Sequence, residues 1–316
     1  MKRIATLLFA ALAFPAWAQT ARMEVHALPS TTLTANQILH GDLNGKPVTV
    51  AGELRLPHAG TDRLPVVILV HGSGGVGPNV DAWAHEINAL GAAAFILDSF
   101  SGRGITNTVS DQTQLDHLAM MTDLFRAKTL LARHPRIDPA RIAVMGFSKG
   151  AVAAVYSSSA RFQKLYDPAG AAFAAHVGVY TPCNMRFRDE EKTSGAPIRM
   201  FHGTPDDWVP VAPCREFVAR LKQAGADITL TEYPDAWHAY DNPATSPPVI
   251  MAQAMTSGAC QIQESADGRL LNTATGHEFS FADACVQRGA HIGYNPDAYA
   301  ATLTAVRAFL KSALKL

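Results

Sequence analysis

Residues 141–156 of this chain read RIAVMGFSKGAVAAVY. The part before Gly146 has the apolar character of a short buried strand, and the part after Gly150 is typical of a buried helix. A Gly-x-Ser-x-Gly sequence between a strand and a helix forms a turn so tight that a Cβ at either glycine would collide with neighbouring backbone. Ser148 is therefore predicted to be a nucleophile, which requires a base, an acid and an oxyanion hole elsewhere in the chain.

Alternating strand-like and helix-like segments surround this turn. The predicted strands are residues 48–56 (an edge strand), 65–70, 93–97, 141–145, 174–180, 198–202 and 227–233, and the predicted helices are residues 81–90, 111–133, 151–156, 211–224 and 296–316. This alternation indicates an α/β fold with a mostly parallel central sheet and helices on both faces. The carboxyl ends of such strands meet at one edge, where we expect reactive side chains to gather.

A histidine follows the last predicted strand. A serine hydroxyl is a weak nucleophile at neutral pH and needs an adjacent base. For a serine on this kind of turn the chain order is serine, carboxylate, histidine, so the base must lie C-terminal to Ser148. His238 occupies that position and is predicted to be the general base. His71 and His202 lie at strand ends, where we expect them to shape their loops through hydrogen bonds to the backbone.

Two adjacent aspartates follow the strand predicted at residues 198–202. Either Asp206 or Asp207 could accept the Nδ1 proton of His238 and stabilise the imidazolium, while the other would be a turn residue or helix N-cap. Asp235 is nearer to His238 in sequence but is expected to belong to a tight turn. The candidate acid is therefore one of two neighbouring carboxylates.

An oxyanion hole needs two backbone amides that point at one spot. The amide of Lys149, directly after the candidate nucleophile, is predicted to be one of them. The other is expected from the glycine-rich loop at residues 71–75, with Ser73 as the donor and Gly74 as the alternative. The ammonium group of Lys149 is expected to point to solvent. A Ser–Lys pair is not invoked, because His238 is available as the base.

The chain resembles the dienelactone hydrolase family of α/β-hydrolases over roughly residues 45–240 and the final helix. The resemblance is carried by residues 98–104, 146–150 and 203–210 and by His238. It implies the α/β-hydrolase fold. In the family's Gly-x-x-Asp-x-x-Val-Pro pattern the acid is the third residue after the glycine, which selects Asp206 over Asp207.

The resemblance implies a serine hydrolase that cleaves carboxylic esters or lactones through an acyl-enzyme intermediate, with no cofactor or metal. Dienelactone hydrolases proper use a cysteine nucleophile, so Ser148 indicates a broader carboxylesterase rather than an enzyme for dienelactone itself. Two alternatives stay open. One is a peptidase of the prolyl-oligopeptidase type, although the chain shows no propeller domain. The other is a non-catalytic binding protein of the same fold, which would need a broken triad or a lost oxyanion loop.

Several residues near the predicted triad are candidates for substrate contacts. Arg103 could pair with a substrate carboxylate, form a structural ion pair or cap a loop. Trp208 and Trp237 could line a substrate pocket or belong to the core. Residues 242–295 separate the His238 loop from the last helix, where the simplest family members pass directly. This insert is expected near the pocket mouth, with a remote surface decoration as an equal alternative.

The N-terminus has the three parts of a secretory signal. Residues 2–3 are positively charged, residues 4–14 are apolar but too short to span a bilayer, and residues 16–18 form an Ala-x-Ala cleavage site. We expect cleavage after Ala18, a single domain over residues 19–316, and a secreted or periplasmic location. The 27 basic and 27 acidic residues balance, so charge gives no reason to expect nucleic acid as a partner. No later segment predicts stable membrane insertion.

Four cysteines in an exported protein predict two disulfides. Of the three possible connectivities we prefer Cys183–Cys214, which would lie near one edge of the sheet, together with Cys260–Cys285, which would close a loop within the insert. No cysteine–histidine cluster has the spacing of a zinc site.

Overall fold

The computed structural model describes residues 20–316, and the predicted signal peptide, residues 1–18, lies outside this range. The strands are β1 (Arg22–Thr32), β2 (Lys46–Leu56), β3 (Leu64–Val70), β4 (Ala93–Asp98), β5 (Ile137–Phe147), β6 (Ala175–Val179), β7 (Met185–Arg186), β8 (Ile198–Gly203), β9 (Ile228–Tyr233), β10 (Val249–Thr256), β11 (Ile262–Glu264), β12 (Leu270–Asn272) and β13 (Gln287–Ile292). The α-helices are α1 (Ala35–His40), α2 (Pro78–Ala89), α3 (Ala119–Ala132), α4 (Lys149–Tyr156), α5 (Ala160–Tyr166), α6 (Ala212–Gln223) and α7 (Pro296–Leu314). Within the described range, none of them has the length and apolar character needed to cross a membrane.

Eight strands form the central sheet, in the order β1-β2-β4-β3-β5-β6-β8-β9. The strands from β4 to β9 in this order pair in parallel, whereas β2 pairs antiparallel with both β1 and β4. Helices cover both faces. The predicted fold class, an α/β-hydrolase fold with a mostly parallel sheet, is confirmed.

Strand β1 is not predicted by the sequence, yet it pairs with β2 along the whole length of both strands. Because β2 also pairs with β4, it lies inside the sheet, and the expectation that residues 48–56 form an edge strand is wrong. Strand β1 is the edge strand on this side of the sheet, and β9 is the edge strand on the other side. Most residues of β1 are exposed or half-buried, and only Leu28 and Ser30 are buried, so it lacks the apolar run that marks the inner strands.

The segment predicted as one helix over residues 111–133 is broken. A 3₁₀ turn covers Gln112–Gln114, and α3 begins only at Ala119. The side chains of Asp111 and Asp116 each accept a backbone amide two residues ahead, at 3.0 and 2.8 Å. A short aspartate side chain can accept a hydrogen bond from a nearby backbone amide in place of a helical carbonyl. Here these bonds form turns before α3, although the apolar residues of the segment recur at helical spacing.

Two apolar clusters enclose the sheet. All seven residues of β3 are buried, and successive residues face opposite clusters. Ile68 packs on the side of α3 and α6, and Leu69 packs on the side of α2 and α7. Trp83 of α2 and Phe125 of α3 are among the largest side chains that are almost completely buried. The inner strands are therefore held on both faces, which fixes the position of the loops that follow them.

Both predicted disulfides are present. Cys183–Cys214 joins the segment after β6 to α6, with Cα atoms 4.9 Å apart. Cys260–Cys285 closes a loop within the insert, with Cα atoms 5.1 Å apart. Each bridge stabilises the folded state by about 2–4 kcal/mol, chiefly by restricting the unfolded chain.

The insert, residues 242–295, is attached to the loops at the carboxyl edge of the sheet. Its strands β10 and β13 pair with each other, and β11 pairs with β7. Ile292 forms an isolated β-bridge with His238, and the amide of Met255 donates to the carbonyl of Val109 at 2.8 Å. The structure therefore places the insert beside the His238 loop rather than on a remote surface.

Candidate active site

Ser148 lies at the turn between β5 and α4, with φ 50° and ψ −120°. A residue other than glycine rarely adopts a positive φ, and such strain costs about 1–3 kcal/mol. The flanking glycines make the turn possible. A Cβ on Gly146 would meet the backbone of Gly150, and a Cβ on Gly150 would meet the carbonyl oxygens of Val70 and His71. The local geometry is the one that the Gly-x-Ser-x-Gly sequence predicts.

His238 and Asp206 lie in line behind the serine. His238 Nε2 is 3.0 Å from Ser148 Oγ, and His238 Nδ1 is 2.8 Å from Asp206 Oδ2. His238 and Asp206 are only 3% and 4% exposed. The rings of Tyr180 and Trp208 pack against the imidazole at centroid distances of 4.5 and 4.9 Å, which restricts its rotation. The three side chains are thus in hydrogen-bond contact in the order that proton transfer from a serine requires.

Asp206 is held by the loop that carries it. Its Oδ1 accepts two backbone amides of that loop, at 3.0 and 2.8 Å, which leaves Oδ2 for His238. Asp207 instead contacts the insert, where its carboxylate bonds to the amide and to Nδ1 of His291 at 2.8 and 2.7 Å. The structure therefore brings Asp206, and not Asp207, to His238.

The rings of His71 and His202 bond to the backbone of loops next to the site. His71 Nδ1 donates to the carbonyl of Gly72 at 2.8 Å, and its Nε2 accepts the amide of Ser99 at 3.2 Å. His202 Nε2 donates to the carbonyl of Val209 at 2.7 Å. Burial lowers the pKa of both rings, so they are neutral at pH 7 and hold loop geometry without adding charge.

The glycine-rich loop at residues 71–75 lies directly against the serine turn. A Cβ on Gly72 would be 3.2 Å from the Cβ of Ser148. The amide of Lys149 is the first of α4 and has no acceptor within that helix. The amides of Ser73 and Lys149 therefore belong to two segments that meet beside the Ser148 hydroxyl, as an oxyanion hole requires.

The side chain of Lys149 is buried, so the expectation that it points to solvent is wrong. The residue is 1% exposed, and Nζ donates to the carbonyl oxygen and to Oε1 of Gln112 at 3.3 and 3.1 Å. Burial lowers the pKa of this ammonium to about 8, although the charges of Asp116 and Asp111 oppose the shift. The signal for burial is in the sequence: all eight residues of α4 are buried, and the helix has no polar face on which a lysine could reach water.

Two cavities meet at Ser148. The larger one has a volume of about 240 Å³ and runs along the loop residues 72–75. Trp208 lines it together with Met251 and Ile292 of the insert. The insert therefore forms part of the wall of the larger cavity.

The second cavity beside Ser148 is narrow, with a volume of about 30 Å³. Gln112, His117 and Lys149 are among the residues that line it. Trp208 lines both cavities.

The two tryptophans predicted to contact substrate lie in different environments. Trp208 lines the cavities and donates its indole N–H to the carbonyl of Met255 at 3.1 Å. Trp237 lines neither cavity; its ring stacks on His291 at a centroid distance of 4.5 Å. Trp208 is therefore the stronger candidate for a substrate contact, and Trp237 packs against the insert.

Arg103 is bound to a buried carboxylate and does not line either cavity. Its guanidinium contacts both oxygens of Asp123, at 2.7 and 3.1 Å, and its side chain is 4% exposed. It also donates to the carbonyl of Ser99 at 2.6 Å and to the hydroxyl of Thr32 at 2.9 Å. The predicted contact with a substrate carboxylate is corrected to its alternative, an ion pair that ties the loop after β4 to α3 and β1.

Two residues of the site are missing from the sequence prediction. Tyr180 packs on His238 and donates its hydroxyl to Asp241 Oδ1 at 2.7 Å. Its position at the carboxyl end of β6 could have marked it, because reactive loops follow those ends. Gln112 gives no such signal, since its segment has a helical pattern in the sequence.

One group of side chains within residues 20–316 has metal-ligand spacing: Glu24, His26 and His134. The Nδ1 of His134 accepts the amide of Arg136 at 3.2 Å, so the neutral ring carries its proton on Nε2. That proton is donated to Glu24 Oε2 at 3.1 Å. The hydrogen bonds of the ring therefore hold it in the tautomer that does not bind a metal through Nε2.

The fold recurs among known proteins, and the sequence pattern of the dienelactone hydrolase family matches residues 50–314. A dienelactone hydrolase-like promiscuous phosphotriesterase from metagenomic libraries is similar, with a TM-score of 0.59 and 14% identity over 92% of this chain and 98% of that one. MGS-M1, an alpha/beta hydrolase enzyme from a Medee basin deep-sea metagenome library, is similar with a TM-score of 0.53 and 16% identity over 93% and 99%. These structures show the fold. Because the family pattern spans most of the chain, the protein belongs to the dienelactone hydrolase family and is a hydrolase.

Proposed function

We propose that this hydrolase cleaves carboxylic esters or lactones of small molecules through an acyl-enzyme intermediate on Ser148. The observation that carries the proposal is the hydrogen-bonded line from Ser148 Oγ through His238 to Asp206, with steps of 3.0 and 2.8 Å. A neutral imidazole in this position can take the serine proton, and a carboxylate on the far side holds the ring in the required tautomer.

In the first half of the reaction, Ser148 Oγ attacks the carbonyl carbon while its proton moves to His238 Nε2. The carbonyl oxygen becomes an oxyanion and accepts hydrogen bonds from the amides of Lys149 and Ser73. The tetrahedral species collapses, the bond to the leaving oxygen breaks, and His238 gives its proton to the departing alkoxide. The Asp206 carboxylate stabilises the imidazolium throughout.

In the second half, His238 takes a proton from a water molecule that attacks the acyl-enzyme. A second tetrahedral species forms in the same oxyanion hole. The bond to Ser148 Oγ then breaks, and His238 returns the proton to the serine. A carboxylic acid leaves and the starting state is restored, so the cycle needs no group beyond these residues and water.

The cavity favours small ester or lactone substrates. Its volume of about 240 Å³ is slightly below the usual range for small-molecule sites. Val109, Met251 and Ile292 give it apolar walls, which suit the hydrocarbon part of an ester. The serine nucleophile, in place of the cysteine of dienelactone hydrolases proper, supports a broader esterase activity.

Hydrolysis of esters and of anilide peptides tests the proposal. The purified protein should cleave p-nitrophenyl acetate and butyrate and a small lactone, and should cleave p-nitroanilide peptides much more slowly. A fluorophosphonate probe should label one site, and peptide mass mapping should place the label on Ser148, because only an activated serine reacts with it.

Each outcome separates the proposal from its two rivals. Faster cleavage of anilide peptides than of esters would identify a peptidase of the prolyl-oligopeptidase type. A protein that neither turns over any of these compounds nor reacts with the probe would be a non-catalytic member of the fold. Heat-unfolded protein serves as the control for uncatalysed hydrolysis and non-specific labelling.

We also propose that the protein is exported, to the periplasm or beyond the cell. The signal-like N-terminus and the two disulfides support this, because disulfides persist in oxidising compartments. Expression of the full chain in a Gram-negative host should give periplasmic protein. Its intact mass should correspond to a chain that begins at Gln19. Ala18→Tyr should block cleavage, because the site needs a small residue. Full-length wild-type protein in the cytoplasm would contradict the proposal.

A further inference from the structure

A buried chain of side chains connects the two segments of the proposed oxyanion hole. Lys149 Nζ donates to Oε1 of Gln112 at 3.1 Å, and Nε2 of Gln112 donates to Oγ of Ser73 at 3.0 Å. The three residues are only 1%, 4% and 6% exposed. The mechanism above uses the backbone amides of Lys149 and Ser73 and leaves these side chains without a role.

The ammonium of Lys149 is buried without a direct counter-ion. Within residues 20–316, the hydrogen-bond acceptors of Nζ are two neutral oxygens of Gln112. The titratable groups that face it at longer range are Asp111, Asp116 and His117 from the segment before α3, and His71 from the glycine-rich loop. Burying an ammonium against neutral acceptors lowers the free energy of unfolding. A gain in stability therefore does not explain why a lysine occupies this buried position.

The ammonium determines which way the Gln112 amide points. Its Oε1 faces Nζ, and the Ser73 hydroxyl lies 3.0 Å from Nε2 and 3.3 Å from Oε1. The reversed amide would set its N–H groups against the ammonium. The Ser73 carbonyl also accepts the amide of Thr108 at 2.8 Å. The loop that carries the Ser73 amide is therefore bonded from two sides, and the Lys149 ammonium favours the Gln112 orientation in which Nε2 donates to Ser73.

We propose that the Lys149 side chain is a positioning residue of the oxyanion hole: its ammonium aligns the Ser73 loop through Gln112 and places a positive charge beside the developing oxyanion. The inference rests on the proposed ester hydrolysis at Ser148. Lys149 thus acts in two ways. Its backbone amide donates to the substrate oxygen, and its side chain positions the backbone amide of Ser73. A fixed charge in a site that excludes water acts more strongly than it would in solvent.

This role makes activity depend on the protonation of Lys149. Burial lowers the pKa of the ammonium to about 8, so the charge is present below that pH and is lost as the pH rises through it. We therefore expect kcat to fall on the alkaline side with a midpoint near pH 8. Burial also lowers the pKa values of His71 and His117, so both rings are neutral throughout this range and do not produce the fall.

Three substitutions test the inference, with kcat, KM and their pH profiles measured on a p-nitrophenyl ester between pH 6 and 10. Lys149→Met removes the charge and keeps an unbranched side chain. Gln112→Glu places a carboxylate opposite the ammonium, which favours its charged form. Lys128→Met is the matched control, because Lys128 is a buried lysine paired with Asp167 and lines neither cavity at Ser148.

Lys149→Met should lower kcat by about 10-fold to 100-fold with little change in KM, and should abolish the alkaline fall. Its Tm at pH 7 should be no lower than that of the wild type, because the substitution removes a buried charge. Gln112→Glu should move the alkaline fall to higher pH and should also lower kcat, because a carboxylate cannot donate to Ser73 Oγ as Nε2 does. Lys128→Met should lower Tm and leave kcat and the pH profile unchanged.

Two results would overturn the inference and leave the proposed function intact. One is an active Lys149→Met protein with the kcat and alkaline profile of the wild type. The other is a Gln112→Glu protein whose alkaline fall stays in place. A wild-type protein that neither cleaves esters nor reacts with the fluorophosphonate would overturn the proposed function, and the inference with it. The two failures are therefore distinguishable by wild-type activity alone.

Discussion

Replacement of Ser148 by alanine is expected to lower kcat for ester hydrolysis by about 10⁶-fold and to abolish fluorophosphonate labelling. The substitution removes the atom proposed to form the acyl-enzyme, while the proposed oxyanion hole and the cavity remain. Water could still be activated by His238, but without the covalent step. Steady-state kinetics on a p-nitrophenyl ester and labelling of the purified variant measure the effect.

The alanine variant should keep the wild-type fold. Alanine at φ 50° carries the same backbone strain as serine, so Tm should change little. Ser157→Ala is the matched control, because Ser157 lies at the other end of α4 and bonds to the carbonyl of Ala154 at 3.0 Å. It should retain full activity. Ester hydrolysis by Ser148→Ala near the wild-type rate would refute the mechanism.

Asp206→Asn should lower kcat by about 10⁴-fold, whereas Asp207→Asn should cost less than about 10-fold. The new carboxamide would keep Oδ1 for the two loop amides, so the loop should not move. Its NH₂ group would then face His238 Nδ1 and force that atom to accept a hydrogen bond. The ring proton would move to Nε2, which could no longer take the proton of Ser148.

The paired asparagine variants distinguish the two carboxylates directly. Asp207 bonds to His291 in the insert and not to the imidazole, so its loss should affect stability more than kcat. Thermal unfolding of both variants, followed by kinetics at pH 7, gives the comparison. Equal losses of kcat from Asp206→Asn and Asp207→Asn would show that the loop, and not one carboxylate, supports the base.

The parts of the fold that could be predicted are those whose signal is local. Strand β3 is continuously apolar because it is buried on both faces, and the turn at Ser148 needs glycine on each side for steric reasons. Strand β1 gave no such signal because it is an edge strand with few buried residues. Four cysteines predict two disulfides but leave three connectivities open, and the observed pairing is the one preferred from the order of their segments.

The parts that escaped prediction depend on partners distant in the chain. Arg103 pairs with Asp123, 20 residues away, and this pairing removes it from the substrate site. Lys149 is buried against Gln112, which lies 37 residues earlier in the chain. The segment that contains Gln112 has a helical pattern in its sequence but forms turns in the structure. The apolar sequence of α4 indicates that Lys149 is buried, but the partner of each charged side chain lies outside a short window and is decided only when the elements pack.

The sequence by itself determined the α/β-hydrolase fold, the tight turn at Ser148 and the chain order of the proposed triad, Ser148, Asp206 and His238, because each follows from local sterics, apolar runs or a family pattern. Only the tertiary structure decided what Asp207 contacts, where the insert lies and what surrounds the ammonium of Lys149. Those outcomes depend on where loops from separate strands meet, and burial and pKa belong to that assembled environment rather than to the residue alone.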